Sequence, residues 1–187
     1  MREIITLVEE KSRPQDIGIV ELSYGDSDLN PVMSARTMEY HYGKLAHGYA
    51  DRFNKREGDR EFNYAGAFLH NLFFPQFRKS RNNNRPNGPI GSMINAKFGS
   101  WDEFKEKFKD TAMTVQGSGW VYLARSGDIK IIPNHQVRDD ILILVDWWEH
   151  AWALDYQSDK KQYLDNIWKI FDWNVINARW GQAYRND

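Results

Sequence analysis

Ile141-Leu142-Ile143-Leu144-Val145 is an unbroken apolar run, and Asp146 ends it. Such a run reads as a buried central strand. A carboxylate at the end of a buried strand is costly unless it is paired or bound to a cation. His150 follows four positions later, close enough for both side chains to converge on one point. In isolation, D-x-x-x-H is most simply a surface hydrogen bond. Here Val145, Trp147, Trp148 and Trp152 flank the pair. That setting favours a buried pair of ligands.

Two more histidines fall in helical patterns. Pro31 and Ser34 open the first, in which Met38, Tyr42, Leu45, Tyr49 and Phe53 recur at steps of three or four, and Gly58 closes it. His41 shares the inner face with Leu45 and Tyr49. The second helix is expected over 63–77, with His70 among Leu69, Leu72 and Phe73, and the two should form an antiparallel hairpin. A lone histidine on an apolar face is ordinarily a satisfied core residue. Two on facing helices plus an Asp–His pair make a nitrogen and oxygen set of three imidazoles and one carboxylate, suited to iron, manganese or zinc. Spacing alone leaves both readings open. The absence of cysteine excludes disulfides, thiolate metal sites, iron–sulfur clusters and thiol catalysis.

The rest of the chain supplies a scaffold. Residues 1–30 read as an irregular lead-in, and the polar, basic stretch Arg78 to Pro89 as a boundary between domains 1–88 and 89–187. A short helix is expected from Ser92 to Phe98. Another, capped by Ser100, turns Phe104, Phe108, Ala112 and Val115 inward. Gly117-Ser118-Gly119 stops it. Trp120–Leu123 and Ile129–Ile132 then form a hairpin around Ser126-Gly127-Asp128. A last helix is expected from Tyr163 to Trp180. The fold class is α+β: an N-terminal helical hairpin domain, then a domain with a small three-stranded antiparallel sheet and surrounding helices.

Charge narrows the partners. With 25 basic and 26 acidic residues the formal net charge is -1, which argues against a dedicated nucleic-acid or membrane-surface binder. The basic segment Arg78 to Arg85 is read as a solvated loop ahead of a nucleic-acid contact. The first eleven residues are too briefly apolar for a secretory signal, and no run approaches a membrane span. The expectation is a soluble cytoplasmic protein.

Met38-Glu39-Tyr40-His41-Tyr42-Gly43-Lys44, His70, Gly117-Ser118-Gly119-Trp120 and Asp146-Trp147-Trp148-Glu149-His150-Ala151 together resemble the iron/manganese superoxide dismutases. The likeness runs from about Leu22 to Trp180 with the motifs in order. It implies one iron or manganese ion per subunit, held by His41, His70, Asp146, His150 and a solvent molecule, and disproportionation of superoxide to dioxygen and hydrogen peroxide. Zinc lacks the needed redox couple. The resemblance makes Tyr49 a gateway residue at the substrate channel and Trp120 and Trp148 walls of the site. Glu149 would bridge, in a homodimer, to the partner subunit's His150. The family usually holds the solvent with a glutamine. Gly66 stands at the position some iron types use, and His135 at the C-terminal position of manganese types. Lys44 and Lys160 would help draw in the anion.

Three departures follow from the same comparison. Leu45-Ala46 replaces a His-His pair, with His47 left as a surface residue. Trp152-Ala153 replaces two tyrosines, so a dimer or higher homo-oligomer would have an altered interface. The loop from Pro133 to Asp140 is shortened. Two alternatives stand beside the dismutase: a non-catalytic relative serving as an interaction protein, and a mononuclear metal enzyme of another class.

Overall fold

Ser34 starts the helical part of the chain. In the computed structural model, which describes residues 14–183, its hydroxyl accepts a bond from the Thr37 N–H at 3.1 Å and caps α1 (Ala35–Tyr40). The helix widens into a π-helical stretch, His41–Ala46, and continues as α2 (His47–Lys55) until Arg56 turns left-handed at φ 58°. The wide turn shifts the phase of the inner face. Met38, His41, Ala46, Tyr49 and Phe53 are buried, whereas Tyr42 and Leu45, expected inside, are only partly so. The first thirteen residues, with the stretch weighed as a secretory signal, lie outside the described residues.

The second helix, α3 (Arg60–Phe73), begins three residues earlier than its periodicity suggests. Asp59 is the reason: its carboxylate accepts the Phe62 N–H at 3.0 Å. Pro75 converts the end into a 3₁₀ turn, Phe74–Gln76. The contacts Arg52 to Asn63, Tyr49 to Gly66 and His41 to His70 run in opposite directions along α2 and α3, so the hairpin is antiparallel as expected.

Gly88 and Pro89 open α4 (Gly88–Phe98), four residues before the expected start, because proline is well tolerated in a first turn. Ser100 caps α5 (Trp101–Met113), whose Phe104, Phe108 and Ala112 are buried. Strands β1 (Gly119–Ala124), β2 (Ile129–Pro133) and β3 (Ile141–Asp146) form an antiparallel sheet in the order β2-β1-β3.

The central strand is therefore β1, and the apolar run of β3 lies at an edge. It is nevertheless buried along its whole length. Side chains close the edge. Gln76 donates to the Leu144 carbonyl at 2.5 Å and accepts the Leu144 N–H at 3.2 Å, standing in for a neighbouring strand. Arg179 donates to the Leu142 carbonyl at 3.0 Å.

After the short helix α6 (Ala153–Tyr156), the expected single last helix is two: α7 (Lys160–Ile167) and α8 (Trp173–Ala183). Phe171 is extended and bridges to Phe77, and the Asp172 N–H donates to the Gln76 carbonyl at 2.7 Å. Asp172 then accepts the Asn174 N–H at 2.9 Å and restarts the helix. These tertiary bonds override the helical periodicity.

Candidate metal centre

Four side chains meet where the hairpin packs on the sheet. His41 comes from the start of the π-helical stretch, His70 from α3, and Asp146 from the last position of β3, opposite Trp120. A 3₁₀ turn, Glu149–Ala151, brings His150 back over Asp146. Oδ2 of Asp146 lies 3.0 Å from His41 Nε2, 3.2 Å from His150 Nε2 and 3.7 Å from His70 Nε2. His41 Nε2 and His70 Nε2 are 3.1 Å apart. All four atoms lie within 4.8 Å of one another.

Hydrogen bonds behind these atoms settle what they present. The Nδ1–H of His70 donates to the Gly66 carbonyl at 2.6 Å, one helical turn back, so its Nε2 carries a bare lone pair. Asp146 Oδ1 accepts the Trp148 N–H at 2.9 Å, which turns Oδ2 towards the imidazoles. His41, His70 and Asp146 are fully buried, and His150 is 13% exposed.

Burial lowers the pKa of His41 to about 4, against the bond to Asp146, and holds His70 well below its usual value. For Asp146 burial acts upward, but the facing His150 and His41 rings outweigh it and keep the carboxyl well below its ordinary range. The result is a buried carboxylate beside lone pairs from the neutral rings of His41 and His70. Lone pairs 3.0–3.7 Å apart with too few protons between them need a cation, so this donor set fits a metal ion.

The surroundings are aromatic. Phe74 lies 4.9 Å and Phe73 5.5 Å from His41, and Trp120 stands edge-on to His70 at 5.1 Å. Trp148 stacks on His150 at 5.6 Å and on His135 at 4.6 Å. His135 itself is buried, only 6% exposed. Its Nδ1 accepts the Trp120 indole N–H at 3.1 Å. Indole only donates, so the proton of neutral His135 sits on Nε2, which has no hydrogen-bond partner among the described residues. Burial lowers its pKa to about 4. The Tyr49 ring lies 5.4 Å from His70 and 4.8 Å from His135, and burial raises its hydroxyl to about 12.

The family profile described as iron/manganese superoxide dismutases, C-terminal domain, matches residues 86–179. The superoxide dismutase [Mn/Fe] of Porphyromonas gingivalis is 36% identical over 87% of this chain and 98% of its own length. The chain belongs to the iron/manganese superoxide dismutase family. The superoxide dismutase [Fe] of Bacteroides fragilis is 34% identical over 85% of this chain and 96% of its own, and that of Pyrobaculum aerophilum 30% over 87% and 90%. Iron or manganese is thus the cofactor to which the donor set answers.

Not every residue singled out from the dismutase resemblance comes to this centre. Glu149 is exposed beside His150, and His47 is an exposed residue edge-on to Tyr42. Lys44 is exposed and 3.7 Å from Glu39. Lys160 lies over Trp147 at 5.4 Å.

Two residues that sequence reasoning missed do come near. Phe62 lies 4.6 Å from His135 and 5.9 Å from Tyr49. The Arg52 guanidinium sits 4.9 Å from the Tyr49 ring centre, with its Nε donating to Asn63 Oδ1 at 3.1 Å. The signals were present: 62, 66 and 70 are spaced by fours along α3, and Arg52 follows Tyr49 by three in α2. Gly66, weighed only as a position, proves to face Tyr49 directly. A Cβ there would lie 2.8 Å from the ring.

Proposed function

We propose that this protein disproportionates superoxide to dioxygen and hydrogen peroxide using one iron or manganese ion held by His41, His70, Asp146 and His150. The observation that carries this reading is the convergence of four donor atoms within 4.8 Å, three of them on fully buried residues. An iron or manganese ion held by these four residues would supply a couple between +3 and +2, able to accept an electron from one superoxide and return one to another.

The chain's own residues do the rest. Asp146 brings one negative charge to three neutral imidazoles, so the loaded centre stays positive and favours a small anion. Gly66 fixes the orientation of His70, and the Trp148 N–H fixes that of Asp146. Tyr49 keeps its proton at neutral pH, so its hydroxyl remains a donor beside His70 and His135. Trp120 holds His135 as the tautomer whose Nε2–H is unspent. In this reading the two groups give hydrogen bonds to a reduced oxygen species. Trp120 and Trp148 wall the site. Asn63 anchors Arg52 through a neutral oxygen, which leaves the whole guanidinium charge acting on an approaching anion.

Residues 1–88 bring His41, Tyr49 and His70, and 89–187 bring His135, Asp146 and His150, so we read the site as lying between two domains. We read the protein as cytoplasmic; among the described residues no helix is long and apolar enough to cross a membrane. We further read it as a homodimer with an altered interface. Tyr40 and Leu154 are exposed large apolar residues beside one groove with Lys44, which supports a self-association surface near Leu45 and Ala153. Glu149 is free to reach the partner subunit's His150.

Metal analysis together with a superoxide-disappearance assay tests the function. Stoichiometric iron or manganese with turnover is expected, and His41→Ala should lose both. Bound metal without turnover favours an enzyme of another class. Absence of both metals from protein grown with either would leave the non-catalytic relative. The complete donor set argues against that outcome, since a degenerate copy has no reason to keep it.

A further inference from the structure

The basic segment after the 3₁₀ turn is not a loose loop. Arg78 N–H donates to the Ile170 carbonyl at 2.7 Å, Ser80 N–H to Asp28 at 3.2 Å and Arg81 N–H to Lys169 at 2.9 Å. Asn84 donates to the Trp168 and Phe171 carbonyls, each at 2.8 Å, and Asn177 to the Asn87 carbonyl at 3.0 Å. The segment is therefore stitched along its length to the break between α7 and α8 and to α8 itself. A merely solvated connection needs no such fixing.

The stitched segment borders an open cavity of about 210 Å³ whose lining includes Arg78, Arg81 and Arg85 together with Asp172 and Trp173. Neither Arg78 nor Arg81 is paired with a carboxylate among the described residues, and Arg85 reaches only Asp102, at 3.9 Å. Asp172, the one acidic residue of the wall, spends an oxygen on the first turn of α8. Two further donors of lining residues lack acceptors among the described residues: Arg78 Nε and the indole N–H of Trp173, a residue only 3% exposed. Three guanidiniums lining one space repel each other, and an anion there would offset that repulsion. Their planar forks match the oxygens of a phosphate group.

We propose that this cavity is a binding site for a phosphate dianion, either inorganic phosphate or the end of a polyphosphate. The site is distinct from the metal centre and does not rest on the dismutase reading. Occupation would tie the connection between the two halves more firmly to the start of α8.

Thermal unfolding of the metal-loaded protein tests it, with inorganic phosphate, inorganic pyrophosphate and potassium chloride compared at equal ionic strength. Phosphate or pyrophosphate should raise the midpoint saturably above the chloride control. Whichever acts at the lower concentration identifies the source. Arg81→Gln and Arg85→Gln should each weaken binding about tenfold, since one charge-assisted bond is lost, while superoxide turnover without phosphate stays unchanged. Both arginines are exposed, so the variants should fold. Equal shifts from phosphate, pyrophosphate and chloride, or a phosphate shift that survives the double substitution, would overturn the proposal.

Discussion

Gly66→Ala probes the tightest contact around the metal centre. A Cβ at this position would come within 2.8, 2.9 and 3.1 Å of three Tyr49 ring atoms. The ring has little room to retreat, because His70 lies 5.4 Å away on one side and His135 4.8 Å away on another. Overpacking of this kind costs about 1–3 kcal/mol. Exchanging glycine for alanine inside a helix returns about 1 kcal/mol. The expected net loss is therefore about 0–2 kcal/mol, with slower turnover from a displaced Tyr49. A double-mutant cycle with Tyr49→Ala isolates the clash. Without the ring, Gly66→Ala should stabilise by about 1 kcal/mol, so its effect in the two backgrounds should differ by about 1–3 kcal/mol. Urea unfolding of the four proteins at equal metal content reads the stabilities, and superoxide decay reads the turnover. The same effect of Gly66→Ala in both backgrounds would refute the steric account.

The electrostatic role of Arg52 predicts that Arg52→Gln lowers kcat/KM about two- to fivefold in dilute buffer, and that the deficit closes towards roughly 0.5 M salt. An equal loss at every salt concentration would instead mark a packing effect. For His135, the folded pKa of about 4 lies below the unfolded value, so the unfolded chain binds more protons between pH 4 and 6.5 and stability rises with pH there. That contribution is complete above about pH 6.5. It is lost as the pH falls to 4, so His135→Gln should flatten the slope of metal-free stability across this window. Gln76→Ala strands both backbone groups of Leu144 and should cost about 2–4 kcal/mol by urea unfolding. A cost under about 1 kcal/mol would show that the edge of β3 is closed by something else.

How much was legible in the sequence depended on how local the determinants were. The Ser100 cap and the Asp146–His150 pair were readable because each is a short pattern with its own chemistry, and the family resemblance added His41 and His70; the helix that Gly117–Gly119 was expected to stop ends earlier, at Met113. The phase of the first helix was not readable. Its π-helical stretch moves Tyr42 and Leu45 off the inner face while keeping His41 on it, and no 3.6-residue template contains that shift. The place of β3 in the sheet was misread for a related reason. A continuous apolar run usually means two strand neighbours, but here Gln76 and Arg179 replace one of them from 68 and 37 residues away. The last helix divided because Phe171 pairs with Phe77, a partner that no window around Phe171 includes. The tryptophan excess also had two sources. Trp120 and Trp148 wall the centre, while Trp101, Trp168 and Trp173 pack together elsewhere at 5.2 and 5.4 Å.

Positions 66 and 135 illustrate how one such contact ties separate sequence features together. Taken singly, Gly66 is a missing side chain and His135 an unexpected one. The structure joins them through Tyr49, whose ring occupies the space a side chain at 66 would need and touches His135 on its other side. While Tyr49 holds that place, α3 can supply no hydrogen-bonding side chain at position 66, and a polar partner for the centre has to come from the sheet side. There the Trp120 indole leaves His135 with its proton on Nε2. A glutamine at 135 would offer a similar donor, but an imidazole also stacks on Trp148 at 4.6 Å, and that contact holds the ring in one orientation. The histidine is thus explained by two neighbours, and the glycine by a third, Tyr49, which touches both positions.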